Sequence, residues 1–378
     1  MKRLVLVGAG HAHARVLADW ARAPVPGVEL CVVSPGSLAP YSGMVPGWLA
    51  GHYTFDAICI DFAALAARSG ARLVIDEVVS LDADRRALSL KSGASLGYDL
   101  LSLNVGSTLT PPHVPGTRVL ALRPLGELRN AWDDTLAELA ALPPGRLVRV
   151  TAVGGGAAGV ESLLALHHRL RAMQSGRAVQ SVLVSRSEAL LPGAASGAVQ
   201  AMRRALANAG VRLQLGTDFD PSHADAPDLV LWATGAEAHG WQRASGLAVN
   251  GAGFIRVDAQ LRSLSHANVY AAGDCAAWSP PLPKAGVFAV KMSPVLSHNL
   301  RAALGGGTAQ AYEPQRRYLS LLATGGRHAV ASWGGWSAEG AWVWRWKDRI
   351  DRRFLRRFGA SPIAADRSIS TTTHEDLA

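Results

Sequence analysis

The residues of this chain best suited to chemistry are glycines. In "VGGGAAGVE", residues 153 to 161, Gly154, Gly156 and Gly159 keep G-x-G-x-x-G spacing directly after an apolar strand and at the opening of a helix. The first glycine makes the turn, the second lets a diphosphate reach the backbone, and the third allows close helix–strand packing. Ala157 and Ala158 keep that helix start small, and its free N–H groups and partial positive charge attract an anion. "LVLVGAGHAH", residues 4 to 13, repeats the design with one departure. Gly8 and Gly10 hold the first two positions and Ala12 follows, but His13 stands where the third glycine belongs. A wider helix–strand spacing or a different rotamer must absorb that ring, which makes His11 and His13 packing and capping residues rather than acids.

Both turns imply a bound dinucleotide, and the strand after each turn bears on its ribose. "LCVVS" ends in Ser34 and "VLVSRS" in Ser185 and Arg186, with no carboxylate at either end. Arg186 is either a partner for a 2′-phosphate or an ordinary surface arginine, so NADPH is as plausible as NADH. By position alone, Glu161 reads as a first-turn carboxylate favoured by the helix dipole. Neither a Ser/His/Asp triad nor a metal-ligand cluster accompanies these turns. Cys31, Cys59 and Cys275 stand singly, which argues against a disulfide framework or zinc site and for a reducing, cytoplasmic setting. Of the three, Cys59 alone has any case for redox exposure.

Elements able to position these turns follow from hydrophobic periodicity. Short apolar runs alternate with amphipathic helical stretches, an α/β pattern. "RLVLVGAGHAHARVLADW" and "RVTAVGGGAAGVESLLAL" resemble each other as strand, glycine turn and helix, which implies two doubly wound units. Between them, residues 71 to 107 alternate as antiparallel strands around a charged turn from Asp82 to Arg86. A length of 378 residues accommodates two domains, and 49% hydrophobic against 18% charged residues describes a packed globular chain. The excess of 38 basic over 29 acidic residues favours anionic partners such as phosphate-bearing cofactors or acidic lipid. The opening residues read as a strand with no apolar h-region and cleavage site, so a signal peptide is not expected, and no apolar run is long enough to span a bilayer.

"GFIRVDAQLRSLSHANVYAAGDCAAW", residues 253 to 278, resembles the second FAD motif of the two-dinucleotide-domain flavoproteins, the pyridine nucleotide-disulfide oxidoreductase superfamily. The resemblance implies that Gly273 and Asp274 hold FAD, with Asp274 on its ribityl chain. Asn104, Val105 and Gly106 stand for the Ala-Thr-Gly segment that returns the chain to the FAD diphosphate. "LVLWATG", residues 229 to 235, is that segment for the NAD(P) unit and adds Gly235 to its contacts. Four motifs in family order cover residues 4 to 300. The family's FAD set then also takes in Gly8, Gly10, His11, Ala12, Ser34 and Val78. Tyr41 and Gly43 would line the flavin edge, although Tyr41 is equally well a core residue. "LPKAGVFAVKMSPVLSHNL", residues 282 to 300, fits the helix whose N-terminus faces the flavin N1/C2=O end in relatives. Its first turn, Lys284, Ala285 and Gly286, would set donors and a cation where negative charge develops, whereas Lys291 belongs to a solvated face.

Disulfide reductases and sulfide:quinone oxidoreductases carry paired redox cysteines that this chain lacks, and what remains resembles the type II NADH dehydrogenase group. Residues 37 to 53 and 318 to 354 are similar to a branch also found fused upstream of selenophosphate synthetase (selenide, water dikinase). The implied architecture has an FAD domain in two parts, 1–125 and 255–310, around an inserted NAD(P)H domain, 126–254. A C-terminal interface region at 311–366 and a polar, disordered tail at 367–378 complete it. Hydride would pass from NADH or NADPH to FAD, with Glu161 and Lys284 as catalytic residues, and electrons would pass on to a quinone or similar acceptor. The alternatives are a flavoenzyme for a small selenium or sulfur metabolite and a flavin-bound redox sensor or scaffold. "WVWRWKDRIDRRFLRRF", residues 342 to 358, sets Trp346, Ile350, Phe354 and Phe358 at four-residue steps among arginines, with Trp342 and Trp344 just upstream. Such a helix lies peripherally on an anionic membrane, or packs on its own protein or on the second subunit of a homodimer. No nucleic-acid recognition fold accompanies it.

Overall fold

The computed structural model describes residues 1–143, 145–173, 178–221 and 227–359. The expected tail at 367–378 lies outside the described residues, as does the C-terminal region beyond 359. The described helices are α1 (His11–Arg22), α2 (Val45–Leu49), α3 (Phe62–Ser69), α4 (Leu125–Ala141), α5 (Ala157–Ala172), α6 (Ser196–Asn208), α7 (Gly286–Gly305) and α8 (Ala341–Arg356).

Two five-stranded parallel sheets organise the chain. The first runs, in spatial order, Val269–Ala271, Leu100–Leu103, Lys2–Val7, Val28–Ser34 and Arg72–Ile75. Successive side chains of Lys2–Val7 alternate faces. Leu4 and Leu6 therefore enter the core with α1, α3 and α7, while Val5 and Val7 pack against a second layer. That layer is the antiparallel sheet of Val78–Asp82, Ala87–Leu90 and Ser95–Gly97. The antiparallel character expected from 71 to 107 thus holds only in the middle. Arg72–Ile75 and Leu100–Leu103 join the parallel sheet, the latter because apolar residues on both faces suit a covered strand. Each fully buried leucine contributes on the order of 2 kcal/mol.

The second sheet orders Arg118–Ala121, Leu229–Trp232, Val148–Val153, Val179–Ser185 and Val211–Leu215. Its edge strand Arg118–Ala121 lies ahead of the boundary expected at 125, held in register by Leu229–Trp232. The chain then forms an antiparallel sheet of Ser320–Ala323, Ala329–Trp333 and Trp336–Gly340. One face of it meets α8 through Ala329, Ala331 and Val343. The other faces α6, where Ser332 Oγ accepts from Ala195 N at 2.9 Å.

Helix α8 corrects two expectations. It begins at Ala341, so Trp342 and Trp344 lie inside it. Phe354 and Phe358 are buried in the main core, whereas Trp342, Trp346 and Ile350 are exposed. A four-residue step advances about 40° around a helix of 3.6 residues per turn. Over three steps the stripe read from 346 to 358 rolls from solvent into the protein.

Candidate functional site

The two glycine turns are built alike. Gly8 (φ +96°) and Gly154 (φ +124°) adopt a backbone that favours glycine. Their N–H groups donate to Val33 O and Val184 O, each at 2.8 Å. A Cβ on Gly8 would meet Asn104 O at 2.6 Å, and one on Gly154 would meet Ala233 O at 2.2 Å. Asn104 and Ala233 are thus structural counterparts, as the two return segments implied.

At the third position the units part. A Cβ on Gly159 would lie 2.1 Å from Gly154 O, so only glycine lets α5 pack there. In the first unit the His13 ring instead uses the equivalent carbonyl. Its Nδ1 lies 2.7 Å from Gly8 O and its Nε2 2.9 Å from Ser102 Oγ, in full burial. Burial holds this imidazole near pKa 4, neutral in the working pH range. Hydrogen bonds replace the glycine contact.

Both helix starts fit a diphosphate. Gly10 and Gly156 are N-caps without a capping side chain, and neither first turn contains an acid. Gly156, Gly106 and Gly235 have open space where a Cβ would stand. Gly156, Ala157 and Ala158 are exposed at the mouth of α5. Gly10 is different, because a Cβ there would run into Asn104 Oδ1 at 2.0 Å. Asn104 is buried; its Oδ1 accepts from Ala12 N at 3.1 Å and its Nδ2 donates to Ala272 O at 2.6 Å. Its amide therefore ties the start of α1 to the backbone at Ala272. Ser34 and Val78 are buried as well, Ser34 at the end of its strand and Val78 in the layer beneath the sheet. Arg186 is exposed, 3.6 Å from Asp218. This carboxylate, supplied by the segment after Val211–Leu215, was not legible beside the expected ribose end.

Asp274 and Gly273 form the short turn after Val269–Ala271, with Gly273 at φ +72°. The Asp274 carboxylate takes an ion pair from Arg123 at 2.5 Å, and the same guanidinium donates to Ser107 Oγ and, at 3.4 Å, to Lys284 O. Arg123 follows the edge strand of the second sheet, so it fastens that sheet to the FAD motif; no sequence signal marked it.

Lys284 departs from its expected place. α7 starts at Gly286 with Ala285 as N-cap, so Lys284 precedes the helix. Its ammonium donates to Asp274 O at 2.8 Å and Ala276 O at 2.6 Å and lies 3.8 Å from the Phe254 ring centre. Burial pushes its pKa down. The ammonium is thus held by carbonyls of the turn around Asp274 and not at the start of α7, whose partial positive charge disfavours a cation. Lys291 is exposed, as a solvated face requires.

The start of α7 meets α1 at a small aromatic cluster. A Cβ on Gly286 would lie 2.8 Å from Ser42 Oγ and 3.9 Å from the His11 ring. His11 packs edge-on to Tyr41 at 5.3 Å and to Phe354 of α8 at 5.9 Å, and Tyr41 lies 4.5 Å from Phe354. Burial lowers His11 to about 4.

Behind Tyr41 lies a buried charged group that the sequence reading missed. Lys347 Nζ donates to Asp351 Oδ2 at 2.6 Å and to Gly43 O. Tyr41 hydrogen-bonds Asp351, and burial raises both the phenol and the Asp351 carboxyl. Glu161 completes the group. It lies in the second turn of α5, not the first, so its place is not set by the helix dipole. Its Oε1 accepts from Ala323 N at 2.7 Å, and burial lifts its pKa from 4.5 to about 7, with Lys347 opposing and Asp351 adding to the rise. One cation among two carboxyls and a phenol in low dielectric favours keeping a proton on the acids. The signal was present in the spacing. Val343, Lys347, Asp351 and Phe354 recur at helical intervals on the face of α8 opposite the exposed tryptophans, and Phe358 follows just past its end.

The cysteines are remote from this chemistry. All three are buried and free, and burial raises every thiol, Cys59 to about 12 and Cys275 to about 11. Cys59 Sγ donates to Phe55 O at 3.2 Å, which removes its case for redox exposure. Among the described residues no group of His, Cys, Asp and Glu could hold a metal ion.

The profile of the pyridine nucleotide-disulphide oxidoreductase family matches residues 2–293. An NADH dehydrogenase-like protein of Mycobacterium tuberculosis is 27% identical over 306 residues, 73% of each chain. Demethylphylloquinone reductase of Synechocystis is 28% identical over 230 residues, a match spanning 56% of either protein. Among solved structures, sulfide:quinone oxidoreductase from Aquifex aeolicus superposes with a TM-score of 0.76 over 96% of this chain and 93% of its own, at 16% identity, a likeness of fold.

Proposed function

The chain belongs to the pyridine nucleotide-disulphide oxidoreductase family and is an NAD(P)H oxidoreductase, and from that premise we propose that its electrons go by way of FAD to a quinone. The observation that carries this reading is the buried group of Glu161, Lys347, Asp351 and Tyr41, set where the FAD-side and nicotinamide-side elements meet. A quinone takes up protons with its electrons, and a carboxyl poised near pH 7 is suited to deliver one. Disulfide chemistry lacks a partner here, since no two thiols stand together and all three are held protonated by burial. A quinone-reducing relative, the demethylphylloquinone reductase, supports the same acceptor.

FAD when bound supplies hydride acceptance from the nicotinamide and release of electrons to a second substrate. The α1 turn, with Gly8, Gly10 and Ala12, and Gly106 beyond it would hold its diphosphate. Asp274, steadied by Arg123, would hold its ribityl chain, and Ala285 and Gly286 would present N–H groups to the flavin. Gly154, Gly156, Ala157, Ala158 and Gly235 would hold the nicotinamide nucleotide, with Arg186 facing its ribose. Tyr41 and Gly43 line the flavin side of the charged group, and Lys347 fixes Gly43 by its carbonyl. The division into 1–125 with 255–310 and an inserted 126–254 fits these roles, with Arg118–Ala121 reassigned to the inserted unit. Segments 37 to 53 and 318 to 354 support kinship with the branch fused to selenophosphate synthetase.

The acceptor reading extends to an anionic membrane surface. No described helix is long and apolar enough to cross a membrane. Trp342, Trp346 and Ile350 form an exposed stripe on α8, and Arg345, Arg349 and Arg353 beside it are exposed. Aromatic rings flanked by arginine suit an acidic lipid interface. Rapid mixing of the yellow holoprotein with NADH, then with a water-soluble quinone, tests the scheme. Fast bleaching followed by quinone-dependent recovery is expected; bleaching that a quinone fails to reverse overturns the acceptor. Repeating the reduction with NADPH and with Arg186→Ala sets the nucleotide preference. Loss of flotation on phosphatidylglycerol vesicles after serine replacement of the α8 stripe is expected, and unchanged flotation overturns the surface.

A further inference from the structure

A cavity of about 550 Å³ lies away from both dinucleotide turns, between the C-terminal halves of α5 and α6 and the turn joining Ser320–Ala323 to Ala329–Trp333. Its chemistry is one-sided. Arg171, Arg204, His167, His168 and His328 line it, and the one acid among its described lining residues, Glu339, is bonded to Arg204 at 2.6 Å. No ion pair of Arg171 falls among the described residues. Thr324 and Asn208 add neutral hydrogen-bonding groups to the same wall.

The positive field inside is visible in the histidines. Burial lowers His168, and the neighbouring His52, Arg169 and Arg171 lower it further. His167, held by Ser181 Oγ at 2.5 Å, is likewise lowered to about 4 by burial and by Arg171. Two arginines against one already paired acid leave an excess of cation, and neutral imidazoles can gain a proton as an anion arrives. The cavity size is that of a small-molecule site. Its α6 wall packs on the face of the C-terminal sheet opposite α8. Along α5 its lining runs from Leu164 to Arg171, about 12 to 22 Å from the Gly156 turn at 1.5 Å per residue.

We propose that this cavity, walled by Arg171, Arg204, His168, His328 and Thr324, binds a small phosphate-bearing anion distinct from the dinucleotides. The site has a direct mechanical neighbour in the charged group. Thr324 follows Ala323, whose N–H holds Glu161, and the turn is pressed on α5, since a Cβ on Gly325 would lie 2.4 Å from Leu164 O.

Inorganic pyrophosphate is the probe. FAD-loaded protein with saturating NAD⁺, which occupies the other diphosphate site, is titrated by calorimetry and by NMR of ¹³C-labelled histidine rings. Saturable binding with shifts of the His168 and His328 rings is expected. Arg171→Gln and Arg204→Gln, both at exposed positions that tolerate change, should each weaken it about tenfold, while Arg85→Gln, an exposed arginine outside the cavity lining, leaves it unchanged. Three results overturn the proposal: no binding up to about 10 mM; binding by both glutamine variants as tight as the parent's; or capture of phosphatidylglycerol vesicles without pyrophosphate binding, which would make the cations a lipid contact. Because the readout is binding, failure here leaves the electron-transfer scheme standing, and failure of that scheme leaves this result standing.

Discussion

Replacing Glu161 with glutamine isolates the effect of one buried charge. The carboxyl is lifted from 4.5 to about 7 chiefly by burial. At 1.36 kcal/mol per tenfold change in proton affinity, that displacement corresponds to roughly 3 kcal/mol. The native state keeps the proton longer than the unfolded chain does. Stability from this group is therefore greatest below pH 4.5, falls as pH rises from 4.5 through 7, and is constant above. Glutamine keeps an oxygen for Ala323 N but carries no charge, and the Lys347–Asp351 pair stays intact and neutral overall. The stability of Glu161→Gln relative to the parent should thus rise with pH by about 3 kcal/mol between 4.5 and 7. Urea unfolding of the FAD-loaded proteins at half-unit pH steps measures it, with midpoints compared at each pH because a multidomain flavoprotein need not unfold in one step. In parallel, reoxidation by a quinone should lose its inflection near pH 7 in the variant while reduction by NADH keeps its rate. A stability difference flat across pH 5 to 8, or one falling with pH, would refute the assignment of this charge.

Three further outcomes follow from particular contacts. His13→Gly restores the family's third glycine yet should destabilise by roughly 3 kcal/mol, because it empties a buried site and strips Gly8 O and Ser102 Oγ of their partner; a thermal midpoint equal to the parent's would show that the ring contributes nothing. Lys347→Met leaves Asp351 buried without its cation and should cost about 3–5 kcal/mol, while Lys347→Met with Asp351→Leu should recover most of it, as chemical denaturation would report. Gly156→Val places a side chain in open space at an ordinary φ of −79°, so the midpoint should hold while nicotinamide affinity drops tenfold or more, about 1.4 kcal/mol; unchanged affinity would move the diphosphate elsewhere.

The two glycine turns, the strands that feed them and the helices they open were legible from residues alone, because backbone conformation and period-two or 3.6 burial are local properties. Gly154, Gly156 and Gly159 announce their geometry through what they lack, and Leu4 to Val7 through continuous apolarity. What His13 does was not local. Its ring is satisfied by Ser102, 89 residues away, and a sequence shows only that a glycine is missing. Lys284 looked like a cation for the flavin, and the nearer carbonyls of Asp274 and Ala276 claimed it. Arg123 gave no motif, and the helical spacing of Lys347 and Asp351 told only that they share a face, for each draws its meaning from a partner on another element or from burial behind Tyr41. Sequence determined the dinucleotide scaffold; only the assembled chain decided which charges lost their water, since desolvation belongs to the surroundings of a side chain and not to its identity.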